Sequence, residues 1–206
     1  MSLDPFDFHF GAAPPSRPPG DEGLSMHPSD RGELAQLTAD CFREVFAAYG
    51  IAMSLESDDT TTRDDSPGPI VSFIGFGGDL LRGTLIILAP LNVVRASYPS
   101  ELKDCAESAI QVFDWAGELA NQVLGRIKNR LDSRGVEVFV SMPKVMLASH
   151  FSVPTSSRGA VCGLRFLAPG QERVGIWLDA LARSSTQPII GPIQSLSSGE
   201  GEMLLF

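Results

Sequence analysis

Glu118 and Asn121 stand one helical turn apart within residues 114–131, Asp-Trp-Ala-Gly-Glu-Leu-Ala-Asn-Gln-Val-Leu-Gly-Arg-Ile-Lys-Asn-Arg-Leu, and Gly125 follows a turn later. At about 100° per residue, Ala116, Ala120, Val123, Ile127 and Leu131 gather on one side, with Phe113 and Leu124 beside them. Asp114, Glu118, Asn121, Gly125 and Lys128 gather on the other. The apolar side accounts for the core contact without Glu118 or Asn121. What is left is a helix offering another molecule a carboxylate that can grip a cation and a neutral amide that can hydrogen-bond. Gly125 costs about 1 kcal/mol relative to alanine in a helix interior. Either something approaches the backbone closely there or the glycine packs against a neighbouring element. The Glu-x-x-Asn spacing alone is common, so its meaning depends on context.

The elements that must position this helix are legible on both sides of it. Leu34, Leu37, Cys41, Phe42, Val45 and Phe46 recur at helical spacing and predict a first helix over 31–48. Asp30 is its expected N-cap, with Glu33 closing a capping box. The acidic, Thr-rich stretch 56–68 reads as a surface loop. Two β-rich runs, 70–76 and 80–88, joined across Gly77, Gly78 and Asp79, predict a hairpin. A second helical region runs over 101–132, capped by Ser100 and broken before Asp114, and Gly135 stops it. A strand over 136–140 and a pair over 159–168 and 173–179 complete the pattern. The order implies an α+β fold, an antiparallel sheet packed by two long helices. Gly32-Glu33-Leu34-Ala35-Gln36 echoes Gly117-Glu118-Leu119-Ala120-Asn121 in four of five positions, which fits a pseudo-two-fold duplication.

Residues 1–28 hold six of the fifteen prolines and read as a flexible tail. Phe6, Phe8 and Phe10 within it are either part of an unstructured terminus or a short docking peptide. Residues 29–183 form the domain, and 184–206, rich in Ser, Gly and Pro, a loosely held C-terminal tail.

Composition narrows the function classes. Sixteen basic residues against 25 acidic ones give a net charge of −9, which argues against nucleic acid. The longest apolar run, 85–94, is broken by Pro90 and Asn92 and is too short to span a bilayer. No secretory signal opens the chain, and Cys41, Cys105 and Cys162 lack metal or redox spacing, so a cytoplasmic protein with reduced thiols is expected. His9, His27 and His150 are too scattered for a triad or a metal site. Gly75-Phe76-Gly77-Gly78 is followed by no Lys-Ser/Thr and is not a phosphate loop. Arg126, Lys128, Arg130 and Arg134 cluster at the end of the helix, suiting its dipole or steering an acidic partner.

Residues 117–131 resemble the signature helix of the CheX branch of the CheC/CheX/FliY chemotaxis phosphatases. The turn Phe76-Gly77-Gly78-Asp79-Leu80-Leu81-Arg82-Gly83-Thr84 is similar to that family's Gly-Asp-Leu-x-Gly strand turn, and so is the run 135–143 ending in Ser-Met-Pro. The likeness covers about residues 30–180. It implies a phosphatase acting in trans on the aspartyl phosphate of a CheY-type receiver. By motif position, Asn121 orients the attacking water and Glu118 pairs with the receiver's lysine; Asp114, Gly125 and Lys128, which share their helix face, are expected to border the contact. Gln36 stands where a second motif needs asparagine, so one competent site is expected. The resemblance implies no cofactor in this chain, with magnesium on the partner receiver, and a homodimer. A receiver-binding or scaffold module without hydrolysis is the alternative.

Overall fold

A computed structural model describes residues 26–57, 63–64, 69–99, 108–148, 151–152, 160–183 and 188–190. Phe6, Phe8 and Phe10 lie outside them. In chain order the elements are α1 (Pro28–Ala48), β1 (Ser54–Ser57), β2 (Arg63–Asp64), β3 (Ile70–Gly77), β4 (Leu81–Ala89), α2 (Leu91–Ala96) and α3 (Ala109–Asp132). They continue with β5 (Phe139–Val140), β6 (Lys144–Leu147), β7 (Phe151–Ser152), β8 (Ala160–Ala168) and β9 (Glu172–Ala182).

Seven strands form one antiparallel sheet in the order β1-β8-β9-β4-β3-β5, with β6 also on β3; β2 and β7 make a separate ribbon. The two hairpins, β3–β4 and β8–β9, meet through β4 and β9 at the centre. The outer edge of each hairpin is completed by a strand from the other half, β1 on β8 and β6 on β3. Helix α1 packs on β8 and α3 on β3. Exchanging the halves reproduces the arrangement, which is the pseudo-two-fold α+β architecture expected from the sequence echo.

Alternation along the strands builds two cores. Ile70, Ile74, Leu85, Phe166 and Ile176 face the helices and meet Leu34, Phe42, Phe46, Val123 and Ile127. Phe42 stacks on Phe166 with ring centroids 4.7 Å apart. Their neighbours Val71, Ile86, Leu88 and Trp177 form a smaller cluster with Phe73 and Phe151 on the opposite face. Burying the larger set, at roughly 25 cal/mol per Å² of apolar surface, is what holds both helices to the sheet.

The hairpin glycines answer to close backbone approach. A Cβ at Gly78 would sit 2.1 Å from the Glu137 carbonyl oxygen, and one at Gly83 2.1 Å from that of Asp179. The turn that resembles the family's Gly-Asp-Leu-x-Gly element thus brings the 136–138 segment against β3 and locks β4 to β9.

Several expectations shift. Helix α1 begins at Pro28, and His27, not Asp30, is the N-cap, its Nδ1 accepting from the Ser29 amide at 3.3 Å. Proline favours the first turn, where its missing N–H costs nothing. Asp30 is buried and accepts from the amides of Ile189 and Ile190 at 3.1 and 2.9 Å. Glu33 closes no capping box; it pairs with Arg134. Helix α3 starts at Ala109, capped by Ser108 in a capping box with Gln111; residues 100–107 are outside the described set. Only Phe139 and Val140 of the expected 136–140 strand pair, because Val136 and Val138 enter the core instead. Strands β1 and β6 and helix α2 were too short to show a period.

Candidate functional site

Helix α3 is held at a fixed height on the sheet by small residues and one buried hydroxyl. Ala116, Gly117 and Ala120 are buried against it, and the Ser72 Oγ donates to the Ala116 carbonyl at 3.1 Å. A methyl at Gly117 would reach Pro143 Cγ and Val145 Cγ2 at 3.4 Å, so β6 and its leading proline lie directly alongside the helix. Ser141 fixes the approach to that proline: its amide donates to the Gly75 carbonyl at 2.9 Å, and its Oγ accepts from the Gly75 amide at 3.0 Å. Between Ser141 and Pro143, Met142 projects outward, 86% exposed.

This packing turns the predicted polar face outward. Asp114, Glu118 and Asn121 are exposed, and Gly125 and Lys128 half-buried. The Asn121 amide has no hydrogen-bond partner among the described residues. Glu118 Oε1 accepts from Gln122 Nε2 at 3.0 Å, leaving Oε2 without a partner among the described residues. A methyl at Gly125 meets nothing within 4 Å. No neighbouring element among the described residues packs against that glycine, so of its two explanations they leave open space beside the backbone. Lys128 Nζ lies 2.5 Å from Asp132 Oδ2, so its charge is already partnered on its own helix.

The other basic residues of the cluster have a structural use that periodicity could not show. Arg126 Nη1 lies 3.4 Å from Glu44 Oε2, Arg130 pairs with the same Glu44, and Arg134 Nη1 lies 3.1 Å from Glu33 Oε2. These guanidiniums tie α3 and the turn that follows it to α1. Neither the dipole nor steering is needed to place them.

Two neighbours of the site were not anticipated. Gln122 follows Glu118 at the i+4 spacing at which helical side chains meet, a signal available in the sequence. Tyr49, whose hydroxyl donates to Gln122 Oε1 at 2.8 Å, lies 73 residues away and left no such signal. Beneath them Trp115 packs edge-on against Tyr49 at 5.0 Å and beside Tyr98 at 5.3 Å, and donates its indole N–H to Ser97 Oγ at 2.9 Å. Burial, and secondarily the Asp114 carboxylate, raises the Tyr98 phenol above its ordinary range, so it stays a neutral donor.

Chemically the face offers the free Glu118 oxygen, the Asp114 carboxylate one turn before it, one neutral amide and a stretch of helix with open space at Gly125. No group of three or more His, Cys, Asp or Glu that could hold a metal occurs among the described residues. No helix among them is long and apolar enough to cross a membrane.

Residues 70–166 match the family described as chemotaxis phosphatase CheX. The matched stretch takes in the first hairpin, α3 and the 135–143 run, and begins after α1. The fold is similar to that of the chemotaxis protein CheX from Vibrio vulnificus, with a TM-score of 0.61 and 16% identity, covering 72% of this chain and 99% of that one. It is likewise similar to a CheX from Desulfovibrio desulfuricans subsp. (TM-score 0.59, 16% identity, 71% and 97% covered). A CheC-like superfamily protein from Shewanella sp. PV-4 also shares it (TM-score 0.55, 20% identity, 72% and 97% covered). No curated protein matches the chain in sequence.

Proposed function

We propose that this chain, which is similar to the CheX family over residues 70–166 and in fold, hydrolyses the aspartyl phosphate of a CheY-type receiver. The observation that carries this reading is the unpartnered Asn121 amide, one turn from a carboxylate with a free oxygen and beside an uncovered Gly125.

An acyl phosphate is already activated, so catalysis reduces largely to placing water in line with the departing aspartate oxygen. Asn121 accepts a hydrogen bond from that water. Being neutral, it approaches the anionic phosphoryl group without the repulsion a carboxylate would meet. Water oxygen bonds to phosphorus, the phosphorus–aspartate bond breaks, and phosphate and the free carboxylate leave. Glu118 takes the receiver's active-site lysine on Oε2 and fixes the register of the two proteins. Magnesium belongs to the receiver in this reading, and the chain brings no cofactor. Asp114 and Gly125 border the contact, with Gly125 letting the receiver's backbone come close. Lys128 contributes only by exchanging Asp132 for a partner group.

The test is the decay of phosphate on a phosphorylated CheY-type receiver with wild type and Asn121→Ala. Acceleration that disappears in the variant supports the phosphatase. Binding without acceleration supports the receiver-binding module instead.

We also propose a homodimer through the edge of the sheet. Strand β6 pairs with β3 on one side only among the described residues, and Met146 and Leu147 on it are largely exposed. A second β6 supplies the missing ladder partner. Met146→Glu should convert a dimer to a monomer in light scattering; an unchanged mass would remove this edge from consideration.

A further inference from the structure

We infer that Tyr49 and Gln122 are positioning residues for Glu118, a relay that reads the packing of α1 against α3 into the aim of one carboxylate. The inference rests on the proposed phosphatase reading for its consequence, though not for its geometry. An exposed glutamate ordinarily samples several rotamers, and ordering it on binding costs affinity. Here Gln122 Nε2 donates to Oε1 at 3.0 Å and Gln122 Oε1 accepts from the Tyr49 hydroxyl at 2.8 Å. The two bonds agree in direction. A flipped amide would set its oxygen against the Glu118 carboxylate, so Tyr49 also fixes which end of Gln122 faces the site.

The relay has a rigid base. Tyr49 lies edge-on to Trp115, Trp115 donates to Ser97 Oγ, and Ser97, fully buried, donates to the Val94 carbonyl at 2.7 Å. Every donor in the series has one acceptor, and the series runs from the core to a single exposed carboxylate oxygen. All its members above Glu118 are neutral. The glutamate is held without losing its charge, and Oε2 is left for a cation.

Two substitutions test this, Tyr49→Phe, which keeps the ring packing, and Gln122→Met, which keeps the stem. Each should raise the KM for the phosphorylated receiver about three- to tenfold, the range of one lost neutral hydrogen bond, and leave kcat within about twofold. In a Glu118→Ala background Tyr49→Phe should have no further effect. An equal loss in both backgrounds would make Tyr49 merely structural and overturn the inference. Side-chain relaxation of Glu118 by NMR gives a readout free of the assay. Tyr49→Phe should loosen it, and an unchanged side chain overturns the relay whatever the phosphatase assay shows. Loosening in a protein whose wild type accelerates nothing would keep the relay and remove the phosphatase reading.

Discussion

Helices α1 and α3 occupy related places in the fold and begin their motifs with the same Gly-Glu-Leu-Ala, yet one face is closed and the other open. On α1, Gln36 Nε2 donates to both Asp40 oxygens at 3.0 Å, and Asp40 in turn meets Arg43. Glu33 is neutralised by Arg134. On α3 the corresponding amide, Asn121, is unpartnered, and Gly125 stands where α1 has Asp40. The contrast extends to the residues that reach across. Tyr49 and Arg134 fall at corresponding positions after the two motifs; the tyrosine holds its glutamate through the neutral amide of Gln122, the arginine by an opposite charge. A carboxylate kept in place but uncompensated can serve a partner. One already paired to a guanidinium cannot do so without losing that pair.

The strongest way to break the comparison is at the two amides. Asn121→Ala should lower receiver dephosphorylation at least about a hundredfold, the scale of a lost positioning group, while Gln36→Ala should leave it unchanged. Rates of phosphate loss from the labelled receiver decide it, and equal effects would mean two working faces. At the glutamates, Glu118→Ala should weaken receiver binding about tenfold or more, the worth of a hydrogen bond to a charged group. Glu33→Ala should leave affinity alone but cost about 1–3 kcal/mol in denaturant unfolding, because it strips the partner from Arg134, whose side chain is only 13% exposed.

At the third position the sign reverses. Gly125→Ala should stabilise the fold by about 1 kcal/mol, because nothing lies within 4 Å of the added methyl, and should still impair receiver binding. Thermal unfolding alongside calorimetric titration reads both, and unimpaired binding would detach Gly125 from the contact. The effect furthest from the site, and smallest for receiver turnover, concerns the closed side. Burial pushes the Cys41 thiol up to about 11, so at pH 8 its thiolate, and its alkylation rate, should be about a hundredfold below those of an ordinary thiol. The sign for stability follows: a proton held more tightly when folded has no effect below about pH 9, and stability falls as pH rises from there to about 11. Mass spectrometry of the Cys41 peptide after timed alkylation checks the first statement.

The helix that carries the site was legible because its information is local. Core and polar faces of α3 follow from a period of 3.6, and the relation of Glu118 to Asn121 and Gly125 is fixed by a single turn. The hairpins were legible for the same reason, from alternation and glycine turns. Less local elements were missed: β6 has four residues, and α2 has six. The misread cap at Asp30 shows the limit sharply. Aspartate before a helix is a good cap by local rules, but here two amides about 160 residues downstream bind its carboxylate, and His27 caps instead.

By itself the sequence determined two amphipathic helices, an antiparallel α+β fold and the order of polar groups along each helix, since these depend on spacings of two to four residues. Only the tertiary structure decided which of the two faces stays open. That choice was made by contacts spanning 73 residues, from Tyr49 to Gln122, and 101 residues, from Glu33 to Arg134. A side chain's availability depends on what the folded chain brings beside it, and no local period encodes that.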